Sequence, residues 1–338
     1  MNFPYKKDKL RFGIVGCGTI TEKAYLPAFK RSNIGKLTCL VDSDESRAFT
    51  LARDLDLFYV GKDLEAIYDY VDAVIVAVPN FLHFSISKAC LEAGKHVLCE
   101  KPMTATSQEC QELIYLANKY SLKLTVAHVR RFYQASKKIK DIIINKELGE
   151  IKSFDFEEGT IFSWPTVSGF VFDKEKAGGG VLMDIGVHLL DLLIWWLPYE
   201  IKHVDYKDDN LGGVEAFAKI EIVFSNSVTG IVKISRLSIL NNFYILHFEK
   251  GRIRWNPFFP KMIYLQDSRK GSKTIKTKEG TPVENLLSNF IYAIQNDQKL
   301  FVPGENALKV IKLIERCYHS RKILTLEWLH GKEGTQCK

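Results

Sequence analysis

From Arg11 to Ala127 the chain alternates short apolar runs with longer amphipathic stretches, and this alternation narrows the possible folds more than any other feature. The runs are Arg11–Val15, Lys36–Val41, 57–60, Asp72–Val78, Lys95–Cys99 and Leu122–Ala127, with helical patterns near 45–55, 64–70, 84–93 and 107–119 between them. The fourth run, Asp72-Ala73-Val74-Ile75-Val76-Ala77-Val78, is unbroken after its first residue. A strand without a polar face must be covered on both sides, as a parallel strand between two helical layers is. The spacing therefore predicts an α/β doubly wound parallel sheet.

Ligands of such sheets bind beyond the carboxyl ends of the strands. The first strand runs into Gly16-Cys17-Gly18-Thr19-Ile20-Thr21, a strand–glycine turn–helix arrangement. Gly16 permits the tight turn and Gly18 lets backbone approach a pyrophosphate at the helix start; Thr21 stands where Gly or Ala completes the usual fingerprint. The second strand ends at Asp42, at the distance expected of a carboxylate that binds the adenosine ribose hydroxyls. Ser43, Asp44 and Glu45 follow, with no adjacent cation to receive a 2′-phosphate, which favours NAD over NADP; Arg47 is the nearest counter-argument. Asn80 follows the fourth strand, and Lys101, between Glu100 and Pro102, follows the fifth. Gly16, Asp42, Asn80 and Lys101 thus share one sheet edge, which counts for more than any single motif.

Beyond Ala127 the pattern changes, so the chain is read as two domains, 1–127 and 128–338. Strand patterns near 151–162, 201–208, 213–224, 227–236, 242–249 and 251–255 predict a large, mainly antiparallel open sheet of an α+β domain. In 214–224 the alternation of Val214, Ala216, Ala218, Ile220, Ile222 and Phe224 predicts one buried face. Amphipathic helices are expected near 284–297 and 305–320. Between the first two of these strands, Gly178-Gly179-Gly180 leads into a helical pattern that carries Asp184, His188 and Asp191 on one face. A buried Asp–His hydrogen bond with a structural task explains that pair as well as a catalytic one does.

Composition excludes several classes. A net charge of +7 is modest, and the densest basic run, Arg269–Lys278, lacks interleaved aromatic residues and reads as an exposed loop, so nucleic acid is not an expected partner. Seven cysteines, odd in number and without a Cys-x-x-Cys pair, point to a reducing cytoplasm and away from zinc. One histidine and two aspartates on a helix lack a second strong ligand, so no metal is expected. No amino-terminal leader pattern and no apolar run near ~20 residues is visible, so no membrane association is expected.

The glycine turn, Asp42, Val78-Pro79-Asn80 with His83, Glu100-Lys101-Pro102, Arg131-Phe132 and the Gly178–Asp191 segment occur in one order. In that order the chain resembles, over nearly its full length, the glucose-fructose oxidoreductase, inositol dehydrogenase and rhizopine-catabolism (Gfo/Idh/MocA) family. The resemblance implies a Rossmann domain followed by a substrate domain whose open sheet forms a homodimer or homotetramer interface. It also implies hydride transfer between a nicotinamide cofactor and a hydroxyl- or keto-bearing carbon of a sugar, cyclitol or nucleotide-sugar. Carried over by position, Lys101 bonds the reacting oxygen, His188 moves the proton, and Asp184 positions the substrate or the histidine. Cofactor contacts are expected from Gly16, Gly18, Thr19, Ile20, Asp42, Ser43, Pro79, Asn80, His83, Glu100 and Lys101, and substrate contacts from Lys101, Arg131, Trp164, Asp184 and His188. The glycines are expected to let their helix lie against the nicotinamide, and a cis bond is expected before Pro102. Two other readings use the same fold: a glycoside hydrolase working through transient sugar oxidation by NAD, and a non-catalytic NAD-binding regulator.

Overall fold

A computed structural model describes residues 9–324 except 33, 164, 166–168, 211 and 279. Trp164, an expected substrate contact, lies outside the described residues. Strands β1 (Arg11–Val15), β2 (Lys36–Val41), β3 (Tyr59–Gly61), β4 (Ala73–Val76), β5 (His96–Cys99) and β6 (Leu124–Val126) form a parallel sheet in the order β3-β2-β1-β4-β5-β6. Helices α1 (Leu26–Ser32), α2 (Glu45–Ala52), α3 (His83–Glu92) and α4 (Ser107–Lys119) connect them. All four residues of β4 are buried, as an apolar strand covered on both faces requires. The 64–70 segment is a 3₁₀ rather than an α-helix.

After α5 (Gln134–Ile144) come β7 (Ile151–Gly159), α6 (Lys174–Ala177), α7 (Val187–Trp196), β8 (Ile201–Asp208), β9 (Phe217–Phe224), β10 (Thr229–Ser235), β11 (Tyr244–Phe248), β12 (Gly251–Trp255), β13 (Met262–Asp267) and β14 (Gly271–Lys276). Helices α8 (Pro282–Gln295) and α9 (Gly304–His319) and strand β15 (Arg321–Ile323) follow. The second sheet has nine strands, ordered β14-β13-β12-β11-β7-β10-β9-β8-β15. It is mixed rather than uniformly antiparallel, because β10 runs parallel to β7 and β15 parallel to β8.

Two expectations need correction, and two helices bear on how the cores are built. The basic run 269–278 is largely β14, an edge strand whose exposed lysines leave no apolar alternation to read. In β9 the predicted phase holds from Ala218 to Phe224, but just before it Glu215 is buried while Val214 and Ala216 are partly exposed. Asp209 accepts hydrogen bonds from the Ala216 and Phe217 amides, so an irregular turn resets the alternation there. Helical structure is continuous enough from Lys174 to Trp196 (23 residues) to match a membrane span by length and composition, yet 67% of its most apolar window is buried inside the protein. It is a core helix. Finally, α8 packs Leu286, Leu287, Phe290 and Ile291 against Phe12, Ile14, Ile75 and Leu98 of the first sheet, so a carboxyl-terminal helix completes the amino-terminal core.

The other face of the parallel sheet is continuous, through α4 and α9, with the core between α7 and the nine-stranded sheet. That shared core fixes how the two sheets face each other across the site.

Candidate active site

The glycine turn has the shape its chemistry requires. Gly16 has φ of 102°, and a Cβ there would lie 2.4 Å from the Ala77 carbonyl oxygen, so only glycine fits. A Cβ on Gly18 would meet nothing within 4 Å, which leaves an open cradle in front of the turn. The Thr21 hydroxyl donates to the Gly16 carbonyl at 2.6 Å, so the third fingerprint position braces the turn instead of providing close packing. Asp42 accepts from the Cys17 amide at 2.7 Å and from the Asp44 amide at 2.9 Å. Arg47 reaches Asp44 at 3.3 Å and comes within 4.0 Å of Asp42, so a cation does stand beside the ribose-side carboxylates. Open cradle, glycine turn and strand-end carboxylate fit a dinucleotide. Among the other expected contacts, Ser43 is exposed beside Asp42, Ile20 turns into the core, and the Thr19 hydroxyl donates to the Pro165 carbonyl of the other domain at 3.0 Å.

The turns at 78–82 and 100–102, on either side of α3 and β5, stand opposite. Lys101-Pro102 is a cis peptide. His83 is 1% exposed, with Nδ1 2.6 Å from the Pro102 carbonyl and Nε2 2.9 Å from that of Val78, so it ties the Lys101 turn to the Val78-Pro79-Asn80 loop. Burial pushes its imidazole down to about 4, against the pull of both carbonyls. Glu100 accepts from the Tyr25 hydroxyl at 2.7 Å and from the Lys101 amide at 3.1 Å; its burial pushes the carboxyl above its usual range. It braces the lysine from behind. Asn80 donates to the Ala177 carbonyl at 2.7 Å, while its Oδ1 is buried without a partner among the described residues, an acceptor left for a ligand.

The helix that follows the three glycines supplies the third wall. A Cβ on Gly180 would fall 1.9 Å from the Glu215 carbonyl oxygen, and one on Gly179 2.0 Å from the Tyr318 hydroxyl. These two glycines pack against Tyr318 of α9 and the Glu215 backbone within their own domain, so their close approach serves that packing. The Glu215 carboxylate caps the start of this helix, taking the Gly180 and Leu182 amides at 2.9 and 3.0 Å and the Tyr318 hydroxyl at 2.8 Å. Residues Leu182–Gly186 form a π-helical turn before α7, and Asp184 lies within it.

Asp184 and His188 share the cleft but no hydrogen bond between them is present. Asp184 is instead held by two cations. Lys101 Nζ donates to its Oδ1 and to its backbone carbonyl, each at 3.0 Å, and Arg236 Nη2 donates to Oδ2 at 3.1 Å. Burial alone would raise the Asp184 carboxyl, but Lys101 and Arg236 outweigh it and hold the group below its usual range. Burial, followed by the charges of Lys101 and Arg130, pushes His188 well below an ordinary imidazole, which leaves a neutral base at physiological pH. Its Nδ1 is buried without a partner among the described residues.

Asp191 turns away from this pair. It receives Arg131 through Nε at 2.8 Å and Nη2 at 2.6 Å, and both side chains are at most 3% exposed. Arg131 also donates to Asn306 at 2.9 Å, so the expected substrate contact is a buried brace that ties α7 to α9. His128 lies 3.7 Å from Asp191, and neither of its ring nitrogens has a hydrogen bond among the described residues.

Arg236 and Glu158 escaped the sequence reading, although a signal existed. Along β7 the inward phase runs through buried Phe154, Phe156 and Glu158; along β10 it runs through buried Val232 and Ile234, and Arg236 continues it just past the strand end. A charge at an inward-facing position marks a site. The strands are parallel neighbours with Glu158 opposite Ile234, so both charges emerge at the same end. Glu158 holds Arg130 in a double contact at 2.6 and 2.7 Å, with the Tyr244 hydroxyl closing the triangle.

A dinucleotide cradle facing a lysine–aspartate–histidine group across a domain boundary defines a dinucleotide-dependent oxidoreductase. Comparison with known proteins agrees. The oxidoreductase family with an NAD-binding Rossmann fold matches residues 10–128, and the GFO/IDH/MocA C-terminal domain matches residues 136–254. The scyllo-inositol 2-dehydrogenase (NADP(+)) of Bacillus subtilis is 31% identical over 351 residues, covering 94% of this chain and 95% of the relative. The D-xylose 1-dehydrogenase [NADP(+)] of Haloarcula marismortui is 25% identical over 330 residues, covering 93% and 91%. Among solved structures, the aldose-aldose oxidoreductase of Caulobacter crescentus superposes with a TM-score of 0.85 at 22% identity, over 92% of this chain and 97% of that one. The chain belongs to the Gfo/Idh/MocA family of oxidoreductases.

Proposed function

We propose that this protein oxidises a hydroxyl-bearing carbon of a sugar or cyclitol, or reduces the corresponding ketone, with Lys101 and His188 as its reacting side chains. The observation that carries this reading is the state of Lys101. An ammonium has three N–H bonds, and Asp184 takes two of them, both at 3.0 Å. Lys101 is 20% exposed and Asp184 36% exposed on their side chains, so the third N–H can meet a ligand oxygen in the cleft. In the oxidation direction Lys101 stabilises the alkoxide as it develops, and neutral His188 accepts the hydroxyl proton. The residues of the glycine turn and Asp42 would hold NAD(H), whose nicotinamide would supply the hydride chemistry when bound. Asp184 keeps Lys101 in place, and the Glu100 and His83 contacts hold the turn beneath it.

NAD is favoured over NADP because two carboxylates, Asp42 and Asp44, follow β2 and Arg47 is already engaged by Asp44. A free or nucleotide-linked sugar suits the open cleft, and self-association through the nine-stranded sheet belongs to the same proposal. The test is turnover of NAD+ and NADP+ with D-xylose, D-glucose, myo-inositol, scyllo-inositol and UDP-N-acetylglucosamine, alongside Lys101→Met and His188→Ala. Each variant is expected to lose about 10²–10⁴-fold in kcat. Undiminished turnover in both variants refutes the assignment.

A further inference from the structure

Arg236 is 4% exposed and lies just past the end of β10. Its guanidinium crosses the Phe162 ring at 5.4 Å, donates through Nη1 to the Val171 carbonyl at 3.4 Å, and through Nη2 to Asp184 Oδ2 at 3.1 Å. Its Nε is buried with no partner among the described residues. An unpaired buried N–H costs about 1–3 kcal/mol. A merely structural arginine would be expected to satisfy that group, so the side chain is disposed around Asp184 rather than around its own hydrogen bonds.

We infer that Arg236 is a positioning residue for the proposed reaction: by holding Asp184 Oδ2 it fixes the carboxylate that takes one N–H of Lys101 beside the N–H taken by the Asp184 backbone carbonyl, and so directs the third toward the reacting oxygen. Three contacts support this. Oδ1 faces Lys101 and Oδ2 faces Arg236, so the carboxylate is gripped from opposite domains and cannot rotate without breaking one bond. The backbone carbonyl of Asp184 takes a second Lys101 N–H, which removes another degree of freedom from the ammonium. Phe162 and Val171 hold the guanidinium in its plane. With Arg236 removed, Oδ2 is free to compete for the remaining N–H of Lys101. The inference rests on the proposed function of Lys101.

The charged groups facing Asp184 are Lys101 from the turn after β5 and Arg236 from the end of β10, with His188 on the next turn of its own helix and Arg130 facing His188. Removing Arg236 takes away one of the two cations that keep Asp184 ionised. The acid limb of kcat/KM therefore moves to higher pH.

Arg236→Gln and Arg236→Lys are compared with wild type, using whichever of D-xylose, myo-inositol or scyllo-inositol turns over fastest, across the pH range and with thermal unfolding measured alongside. For Arg236→Gln, kcat is expected to fall about 10–10²-fold, the loss typical of a misplaced reacting group. KM for NAD+ stays unchanged and the acid limb rises. Arg236→Lys keeps a cation at Oδ2, so it recovers part of kcat and leaves the acid limb in place. Should Arg236→Gln not fold, Arg236→Lys decides alone: intermediate kcat with an unmoved acid limb supports the inference, and wild-type or fully lost kcat overturns it. Unchanged pH profiles in both, or losses that track unfolding temperature with Lys no better than Gln, also overturn it. If Lys101→Met retains full activity, the functional reading fails instead, and the two failures are told apart by that variant.

Discussion

Gly180→Ala is a severe perturbation in a chain whose proposed reacting groups stand a few residues away. The new Cβ would lie 1.9 Å from the carbonyl oxygen, 2.6 Å from the nitrogen and 2.8 Å from the carbonyl carbon of Glu215, all backbone atoms. Ordinary contact begins near 3.4 Å, so one backbone or the other must retreat by about 1.5 Å. That retreat breaks a set of bonds made at the same place: the Val181 amide to the Glu215 carbonyl at 2.8 Å, and the Gly180 and Leu182 amides to its carboxylate at 2.9 and 3.0 Å. Overpacking of a tight site costs about 1–3 kcal/mol, and loosening a charged helix cap adds to it, giving about 3 kcal/mol in all. For a chain of this size the melting temperature should drop by about 4 °C. Asp184 begins one helical turn later, so a shift near 1 Å at its carboxylate should lower kcat about 10²-fold. Differential scanning fluorimetry and steady-state kinetics read both effects, with Gly213→Ala, where an added Cβ meets nothing within 4 Å, as the matched control. A Gly180→Ala protein with the control's melting temperature and a kcat within threefold of wild type would refute the packing argument.

Other consequences follow from charge. His128 is 1% exposed and held neutral, with burial pushing it down to about 4 despite the opposing pull of Asp191. The unfolded chain takes up that proton near ~6.5, so the contribution is fully present above ~6.5 and is lost as pH falls toward about 4, on the order of 3 kcal/mol when complete. Buried His83 and His188 add to the same slope, so in chemical denaturation at stepped pH His128→Gln should reduce it by one histidine's share; an equal slope in the variant argues against a contribution from His128. Asp42→Ala removes a carboxylate from the ribose end and leaves Arg47 paired with Asp44 alone. The ratio of NADP to NAD use in kcat/KM should rise about 10–10²-fold, since the repulsion of a 2′-phosphate falls and a cation stays close. An unchanged ratio would count against a role for Asp42 in cofactor choice.

Much of the molecule was legible in its residues, and the reason is local. Apolar runs such as Asp72–Val78 state how a strand is covered, and a strand–Gly16-Cys17-Gly18–helix order places a turn at its end. From such features the parallel sheet, the position of the cofactor edge and the placing of Lys101 beside it could be written down. Charged residues inside the second domain were harder. Alternation through 214–224 pointed Glu215 outward, and an irregular turn anchored by Asp209 reversed it. Arg236 and Glu158 held inward phase at the strand ends, where a count of polar residues treats them as surface.

What the sequence by itself determined is therefore the set of elements, their order and the chemistry gathered at the edge of the parallel sheet, because periodicity and turn residues act over a few neighbours. What only the tertiary structure decided is which charge faces which. Asp184 meets Lys101 and Arg236 rather than His188, Asp191 meets Arg131, and the glycines meet Glu215 and Tyr318. These partners lie between 35 and 139 residues apart along the chain or approach from opposite domains. Their pairing depends on how two sheets close around one core, and no local pattern carries that information.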